Sequence, residues 1–338
     1  MAIHIGILIR KIVRLKMNIN HKLKAIMAMI GLASIVFVSS CNAQNGPSKN
    51  GFDLSNASIP IDKILSGGPG KDGIPAIDNP LFVTKSRADF IKDSDRVLAL
   101  EIKGIAKAYP INILNWHEIV NDKISDQSFA VTYCPLCGTG AVFSADVKGQ
   151  HSRFGVSGLL YNSDVLLYDD RTESLFSQIL SKAISGPLVG ESLTPLVSTH
   201  TTWGKWKTLY PDTQVLSTDT GYVRDYTRNP YGDYGSSRAL YFPVPISTDK
   251  PDIFHPKETV IGLIDGSNIK MYPFSELDKN GQPEFVDIIN GKRYIVIWDS
   301  VNKSAQIKND NSQLIPTIQG FYFAWNAFYP ASKIYISK

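Results

Sequence analysis

The chain has 338 residues, 43% of them hydrophobic, and a formal net charge of +4 at pH 7. Six lysines and arginines and no acidic residue precede Cys41, so the rest of the chain carries a net −2 (+4 − 6). A nucleic-acid-binding domain needs a basic face, and here the excess of basic residues lies before Cys41. We therefore expect no nucleic-acid partner, and the length allows one large domain or two smaller lobes.

Residues 1–41 have the features of an export signal. Lys22 and Lys24 provide a basic start, Ala25–Val38 is an apolar run of signal-peptide length, and small residues lead into Cys41. The run is shorter than the roughly 18 residues that a transmembrane helix needs, which argues against a membrane-spanning anchor. Translation starts at Met1 or at Met17, because the basic and apolar segment before Met17 exceeds what a signal requires.

The end of this signal resembles the lipobox of bacterial lipoproteins. The resemblance implies that Cys41 is lipidated and becomes the mature N-terminus, with the membrane as a partner through this anchor. It also implies a location in the bacterial cell envelope, facing the periplasm or the cell surface. Cys134 and Cys137 are then the remaining cysteines, and a disulfide across so short a loop stabilises little of a fold. We therefore expect this pair to serve chemistry.

Residues 42–60 start with a polar stretch and are interpreted as a tether, and residues 61–338 as a single domain. From Val97 onwards, short apolar segments alternate with Gly, Asn, Asp and Pro. This pattern predicts a mainly β domain with short helices. The predicted strands include Val97–Ile102, Phe129–Tyr133, Val165–Tyr168, Val260–Ile264 and Tyr294–Trp298, and the predicted helices are Ile111–Val120 and Ser174–Ile184.

The domain contains two degenerate pseudo-repeats, at about residues 97–216 and 260–335, which we expect to form packed β lobes or half-barrels. The first matches share an offset of 163 positions (260 − 97), and the last match has an offset of 119 (325 − 206). The matching segments are Val97–Leu100 with Val260–Leu263, Ala108–Ile111 with Met271–Phe274, Ile119–Lys123 with Ile288–Lys292, and Trp206–Pro211 with Trp325–Pro330.

The two repeats differ where reactive residues are concentrated. The first repeat carries 44 extra residues (163 − 119), which lie around and after a CPLCG turn. Where the first repeat has Tyr133-Cys134, the second has Trp298-Asp299, and it has no counterpart of His117 or Cys137. The second repeat keeps the strands but lacks these side chains. This indicates that His117, Cys134 and Cys137 serve a functional site and are not needed to form the strands.

Cys134 and Cys137 lie in the CPLCG turn, and His117 precedes them in a WHEIVND segment. Two thiolates separated by two residues bind one metal ion in a tight turn, and the following glycine permits the left-handed backbone that the turn needs. The sequence has no second such pair, so His117 is the leading third ligand. This set suits copper(I) or zinc and leaves one position open. Other candidate fourth ligands are His151, His200 and His255.

The same residues allow two other kinds of chemistry. A C-x-x-C pair outside the cytoplasm can act as a thiol-disulfide oxidoreductase, although no thioredoxin-type βαβ pattern surrounds this one. Alternatively, Cys134 is a nucleophile with His117 as its base, which leaves Cys137 without a role. Whether the protein is an enzyme stays open at this level. Glu118 and Asp122 are candidates to orient His117 by a hydrogen bond.

A dense polar group follows in the insertion, between apolar runs. It favours a third interpretation, a non-catalytic module that binds a small ligand or a glycan. Turn chemistry and an arginine–carboxylate pair account equally well for such residues. The group consists of Asn162, Asp169, Arg171, Glu173 and Gln178.

Several segments together resemble the DUF3179 family, a domain of unknown function found in exported bacterial and archaeal proteins. They are GIPAID, AYPINILNWHEIVND, VTYCPLCGTGAVF, FGVSGLLYNSDVLLYDDRTESLFSQ and HPKETVIGL. The resemblance runs from Ile64 to Pro330, and the WHEIVND and TYCPLCGT segments are specific. It implies one continuous domain in which His117, Cys134 and Cys137 follow the family pattern, and it implies no particular reaction.

Overall fold

The computed structural model describes residues 46–245 and 253–338. The predicted signal, Cys41 and the start of the predicted tether lie outside the described residues. Within the two described ranges, no helix is long and apolar enough to cross a membrane. The prediction of a mainly β fold is confirmed, and none of the sheets in the described part of the chain closes into a barrel.

The elements follow one another in an order that already shows the repeat. A leading segment contains β1 (Ser48–Lys49), β2 (Phe52–Asp53), β3 (Ile64–Ser66) and β4 (Phe82–Thr84). The first repeat starts with β5 (Arg96–Ile102), β6 (Ile105–Pro110), α1 (Ile111–His117), β7 (Ile119–Ile124), β8 (Gln127–Cys134) and β9 (Thr139–Ser144). The insertion adds β10 (Asp146–Val147), β11 (Gln150–His151), β12 (Phe154–Tyr161), β13 (Asp164–Asp169), β14 (Leu175–Ser177), β15 (Lys182–Ser185) and β16 (Pro195–Leu196).

The second repeat has the same order of strands and helices as the first. The first ends with β17 (Thr199–Thr202), α2 (Trp203–Leu209) and β18 (Gln214–Leu216). The second contains β19 (Thr259–Asp265), β20 (Asn268–Pro273), α3 (Phe274–Asn280), β21 (Glu284–Ile289), β22 (Lys292–Asp299), β23 (Ser304–Lys308), β24 (Ile318–Phe321), α4 (Tyr322–Phe328) and β25 (Lys333–Ile334).

Each repeat forms the same four-stranded arrangement. In the first, β17 pairs with β5, β5 with β6, and β18 runs parallel to β6. In the second, β24, β19, β20 and β25 pair in the same order and directions. The registers also agree, because Val97 lies opposite Pro110 and, 163 positions later, Val260 lies opposite Pro273. The duplication is therefore visible in strand pairing as well as in sequence.

The hairpin that follows each first helix corrects one detail of the predicted alignment. Ile124 pairs with Gln127 in the β7–β8 hairpin, and Ile289 pairs with Lys292 in β21–β22, an offset of 165 (289 − 124). The prediction that Ile119–Lys123 corresponds to Ile288–Lys292 is wrong by four positions. Half-buried carboxylates support this register, because Asp122 accepts hydrogen bonds from Lys107 and Tyr109, as Asp287 does from Lys270 and Tyr272.

The two predicted helices have different outcomes. The first begins at Ile111 as expected but ends at His117, because Glu118 adopts a positive φ of 58° and the chain turns into β7. The second prediction, Ser174–Ile184, is wrong. This segment forms a hairpin of β14 and β15 that pairs with β13. Its strands are buried on both faces, so their apolar residues do not alternate and the sequence resembles a helix face.

The sheets of the two repeats meet at two places along their boundary. Gln319 of β24 pairs with Gly140 of β9, so the second repeat's sheet continues into the meander β9-β8-β7 of the first. On the other side, β17 of the first repeat packs beside β23 of the second, where Gln306 Nε2 donates to Thr199 Oγ1 (2.8 Å). The first repeat therefore extends a sheet of the second, and the second covers a strand of the first. Separation of the two repeats would expose both contact surfaces.

The insertion and β3 of the leading segment form a separate antiparallel sheet in the order β15-β14-β13-β12-β3. One hydrophobic cluster joins this sheet to the rest of the fold: it contains Phe143 of β9, Phe154 of β12 and Phe323 of α4. Cys134 and Cys137 belong to the same cluster. The cysteine pair thus lies where the first repeat, the insertion and the second repeat meet.

Candidate functional site

The cysteine turn connects β8 to β9. Cys134 is the last residue of β8 and pairs with Thr139, the first residue of β9. Gly138 has a positive φ of 59°, and a Cβ there would lie 2.9 Å from the Phe321 ring, so glycine is required on both counts. Both cysteines are free, and their exposed fractions are 1% for Cys134 and 0% for Cys137.

Asp164, the first residue of β13, completes a three-residue donor group. The two Sγ atoms and a carboxylate oxygen of Asp164 all lie within 4.8 Å of one another, and all three residues are buried. The Cys134 thiol donates to the carbonyl oxygen of Ser163, next to Asp164, at 3.7 Å. Thiolate and carboxylate are both zinc ligands in proteins. The described chain therefore holds a group of metal-ligand type at the turn where the sequence predicted one.

A chain of hydrogen bonds fixes the Asp164 carboxyl. Thr132 Oγ1 donates to the Ala141 carbonyl (2.9 Å) and accepts from Gln178 Nε2 (2.8 Å). Gln178 Oε1 therefore faces Thr139 Oγ1 (2.8 Å), which also lies 2.7 Å from Asp164 Oδ1. Thr139 has one hydroxyl proton for these two acceptors, so both contacts are hydrogen bonds when the Asp164 carboxyl is protonated and donates to Thr139 Oγ1. A protonated carboxylic acid fits this network.

The electrostatic environment agrees with a protonated, metal-free site. Burial raises the pKa of Asp164 to about 7, although the ionised carboxylate accepts hydrogen bonds from Thr139 and Ile179, which lower the pKa. Burial also raises the pKa of Cys134 and Cys137, and the nearby Asp164 carboxyl adds to the rise. Burial disfavours the charged form of each acid, because no water solvates it. Near neutral pH the two thiols are therefore protonated and the Asp164 carboxyl is partly protonated, and a lower pH completes its protonation.

Glu118 is a fourth buried acid at this site. It caps α1 with a positive φ of 58°, where the second repeat has Gly281, also with a positive φ (67°). Glycine adopts this conformation at no steric cost, whereas a glutamate there is strained. The Glu118 carboxyl accepts a hydrogen bond from Tyr231 (3.2 Å), and burial raises its pKa to about 8, with Asp164 adding to the rise. A strained, buried acid retained in one repeat only indicates a functional role.

His117 lies apart from the thiols. Its Nδ1 is 2.8 Å from the carbonyl oxygen of Pro75, and its Nε2 is 2.6 Å from the hydroxyl of Tyr226. Burial lowers its pKa. Both ring nitrogens are thus engaged, and the group of metal-ligand type contains Asp164 in place of His117. Neither Glu118 nor Asp122 orients the ring, because their partners are Tyr231 and the Lys107–Tyr109 pair.

The other predicted histidines also lie elsewhere. His151 is exposed, and burial lowers the pKa of His200 to about 3 while its Nε2 contacts the carbonyl oxygen of Gly140 (3.3 Å). His255 Nδ1 accepts from the backbone N–H of Lys257. None of the three belongs to the donor group in the described part of the chain.

The five polar residues of the insertion do not converge on one pocket. Asn162 donates to the carbonyl of Ala327, and Arg171 donates to Ser152 and Gln150. Glu173 pairs with Lys71, and Asp169 is buried, where it accepts from Thr172 and Ser174. Only Gln178 reaches the cysteine site, through Thr139.

A tyrosine-bearing segment that the sequence patterns did not single out lies against the site. Between residues 220 and 245, Tyr226 bonds to His117, Tyr231 bonds to Glu118, and Tyr234 shares the hydrophobic cluster of the cysteines. Tyr231 also lines a surface cavity of 450 Å³ with Trp116 and Arg224. The recurrence of tyrosine every three to five positions from 222 to 234 was the available signal.

Comparisons with known proteins give one match. No curated protein and no solved structure matches the chain. A family model described as a protein of unknown function (DUF3179) matches residues 71–332, which includes the first repeat, the insertion, all of the second repeat except its last strand, and every residue of the donor group. The match spans more than three quarters of the 338 residues. The chain therefore belongs to the DUF3179 family.

Proposed function

We propose that the protein binds one transition-metal ion, with zinc preferred, through Cys134, Cys137 and Asp164. The observation that carries the proposal is the convergence of two thiols and a carboxyl within 4.8 Å, all buried. Burial of three acids side by side is costly unless a cation joins them. The three donors come from two separate sheets, so the fold itself brings them together.

The partners of the acidic groups support a cation site. Four acids lie together here: Cys134, Cys137, Asp164 and Glu118. The hydrogen bonds to the two carboxyls come from Thr139, Ile179 and Tyr231, and not from a lysine or arginine of the described residues. A divalent ion would supply the positive charge that these partners lack, and its binding would release the protons that the donors hold without it.

The donor set favours zinc over copper(I). Copper(I) prefers thiolate, thioether and imidazole ligands, whereas zinc accepts a carboxylate oxygen beside two thiolates. With Asp164 in place of His117 as the third donor, the set becomes less suited to copper(I). Three protein ligands leave the fourth position of a tetrahedral zinc ion open, as in sites that bind or transform a further molecule.

The main alternative, thiol-disulfide exchange, receives less support. Exchange requires a thiolate that another sulfur can reach. Cys134 and Cys137 are 1% and 0% exposed, and burial raises the pKa of both thiols, so each condition is unfavourable. Exchange at these thiols would need a small-molecule thiol or disulfide, and the tyrosine-bearing segment would have to open to admit it.

The proposal is tested by metal content. We expect the domain without its leader to bind one zinc ion per chain, and the Cys134→Ser, Cys137→Ser double variant to bind none, because the soft donors are lost. Elemental analysis after dialysis against zinc measures both, with circular dichroism to show that the variant is folded. Equal stoichiometry in the two proteins, or none in the unaltered domain, would contradict the proposal.

We also propose that the protein is anchored to the cell envelope by lipid on Cys41. Support comes from the basic start at Lys22, the apolar run Ala25–Val38 and the lipobox-like end. Mass spectrometry of the mature N-terminal peptide is expected to find an acylated Cys41. An unmodified peptide that continues upstream of Cys41 would rule the anchor out.

A further inference from the structure

Three consecutive residues at the end of α1 fasten the tyrosine-bearing segment. Trp116 Nε1 donates to the carbonyl oxygen of Arg228 (3.1 Å). His117 Nε2 lies 2.6 Å from the hydroxyl of Tyr226, and Glu118 accepts from a further tyrosine of the segment (3.2 Å). The segment is therefore fixed against the end of α1. The proposed metal site uses neither Trp116 nor His117, so their contacts serve another purpose.

A cavity lies between α1 and this segment. Its volume is 430 Å³, and small-ligand sites have volumes of about 300–1,000 Å³. Ile111, Asn112 and Asn115 of α1 line it, and residues 226–229 of the segment line it as well. None of the three proposed metal donors lines the cavity, so it is a site of its own.

Positive charge predominates in this cavity. Lys92, Arg96 and Arg228 line it together with one acid, Asp95, which gives a net +2 (3 − 1). Among residues 46–245 and 253–338, none of the three cations forms an ion pair. Asp95 accepts from the backbone N–H of Lys92 (2.9 Å), and Asp225, which is near Arg228, lines a neighbouring cavity. Uncompensated positive charge in a cleft attracts an anion.

Arg96 is half-buried and keeps most of its hydrogen-bond donors unused. In the described ranges its guanidinium makes one hydrogen bond, from Nη1 to the carbonyl oxygen of Asn302 (2.5 Å). A guanidinium has five N–H groups in a planar fork that matches a carboxylate or a phosphate. Asn112 adds an amide whose Oδ1 has no partner in the same ranges, so no bond of this oxygen is lost when the amide turns toward a ligand.

The second repeat has an equivalent cavity, of 630 Å³, whose charges are paired within the protein. Lys303 pairs with Asp278 there (2.6 Å), and Glu258 accepts from the backbone N–H of Ser275 (2.7 Å). The scaffold thus forms a cavity in both repeats, and the first repeat carries the unpaired cations. The lining residues that correspond at the offset of 163 are Asp95 and Glu258, Arg96 and Thr259, Ile111 and Phe274, Asn112 and Ser275, and Asn115 and Asp278.

We propose that the cavity between α1 and the tyrosine-bearing segment binds a small dianion, a phosphate monoester or a dicarboxylate, through Arg96 and Arg228. Two negative charges balance the net +2 of the lining, and each guanidinium forms paired hydrogen bonds to an oxyanion. Phe90 and Ile111 provide an apolar surface for the carbon skeleton of the ligand. The end of α1 then has a purpose, because it holds the segment that carries Arg228.

Isothermal titration calorimetry of the full-length protein at low salt tests this site with two probes, inorganic phosphate and succinate. We expect at least one of them to bind with a dissociation constant of about 1 mM or lower, and Arg228→Gln to weaken that binding about tenfold. Arg96→Gln should weaken it at least as much. Lys303→Gln removes the same charge from the cavity of the second repeat, and it should change the affinity by less than about twofold.

The outcomes also define the class of ligand. Binding of phosphate alone would support a phosphate monoester, and binding of succinate alone a dicarboxylate. Failure of both probes to bind at about 10 mM would overturn the proposal. An equal loss in Lys303→Gln would overturn it too, because the attraction would then be an effect of net charge. Arg228 is exposed, so Arg228→Gln decides the question even if Arg96→Gln does not fold, and unchanged affinity in this variant contradicts the site.

Discussion

Asp164→Asn is expected to lower zinc affinity by roughly 100-fold or more, whereas His117→Gln should leave it within about threefold. Asn keeps the shape of Asp164, with an oxygen that can accept from the Ile179 N–H and an amide N–H that can donate to Thr139 Oγ1, but it lacks the charge that binds the ion. His117 has both ring nitrogens engaged by Pro75 and Tyr226 and has no free donor for a metal. Competition with a chromophoric zinc chelator measures both affinities.

This pair of variants discriminates between the two possible third ligands. Urea unfolding of each metal-free variant serves as the control, because His117→Gln also removes two hydrogen bonds of a buried side chain. If His117→Gln lost zinc and Asp164→Asn retained it, the site would have the composition predicted from sequence and the arrangement described above would be contradicted.

The free energy of unfolding of the metal-free protein is expected to fall by about 2 kcal/mol from pH 6.5 to pH 8.5, mainly through Glu118. Its pKa is raised from 4.5 to about 8 in the folded protein, so the folded state binds the proton more tightly than the unfolded state does. The resulting stability is present at low pH and is lost as pH rises through 8. Asp164, with a pKa of about 7, contributes in the same direction. Urea unfolding at several pH values measures the change.

Two substitutions of Glu118 control the pH experiment. Glu118→Gln removes the titrating group and should flatten the dependence. Glu118→Gly reproduces the second repeat at Gly281 and should also relieve the left-handed strain, so it is expected to stabilise the metal-free protein. Below pH 6.5, the lowered pKa of His117 and of His200 acts in the opposite direction, which confines the test to the higher range. The same slope in wild type and Glu118→Gln would show that Glu118 is not responsible.

Local patterns in the sequence predict the fold class and the position of the site. Short β-branched segments indicate strands, and the offset of 163 between Val97 and Val260 indicates the duplication from the order of residues alone. The C-x-x-C spacing, with Gly138 behind it, indicates a turn that gathers two sulfurs. These features depend on residues close in sequence, or on a comparison of the chain with itself.

The third donor could not be predicted in this way. Asp164 reaches the thiols because the insertion sheet packs against the meander, and no spacing rule connects position 164 with positions 134 and 137. The available signal in the sequence was that Asp164 is an acidic residue directly before the apolar run Val165–Leu167. His117 is nearer in sequence, and β7 after it pairs with β8, but its ring nitrogens contact Pro75 and Tyr226. Tertiary packing decided between the two.

The roles of Glu118 and of the tyrosines required packing as well. In sequence, Glu118 is one charge in a polar run, and its importance becomes visible once Gly281 is found at the equivalent cap of the second repeat. Tyr231 and Tyr234 lie in a segment without helices or strands, so no periodicity predicts the direction of their side chains. The place of these tyrosines at the site is seen from their contacts, of Tyr231 with Glu118 and of Tyr234 with the cysteine cluster.

The zinc X-ray absorption spectrum of the metal-loaded domain tests the central claim most directly. The arrangement predicts two sulfur neighbours at about 2.3 Å and oxygen neighbours at about 2.0 Å, with none of the multiple scattering that an imidazole ligand produces. Loss of the sulfur shell in the Cys134→Ser, Cys137→Ser variant would identify its source. A spectrum of the unaltered domain with imidazole scattering, or without sulfur, would contradict a site made of Cys134, Cys137 and Asp164.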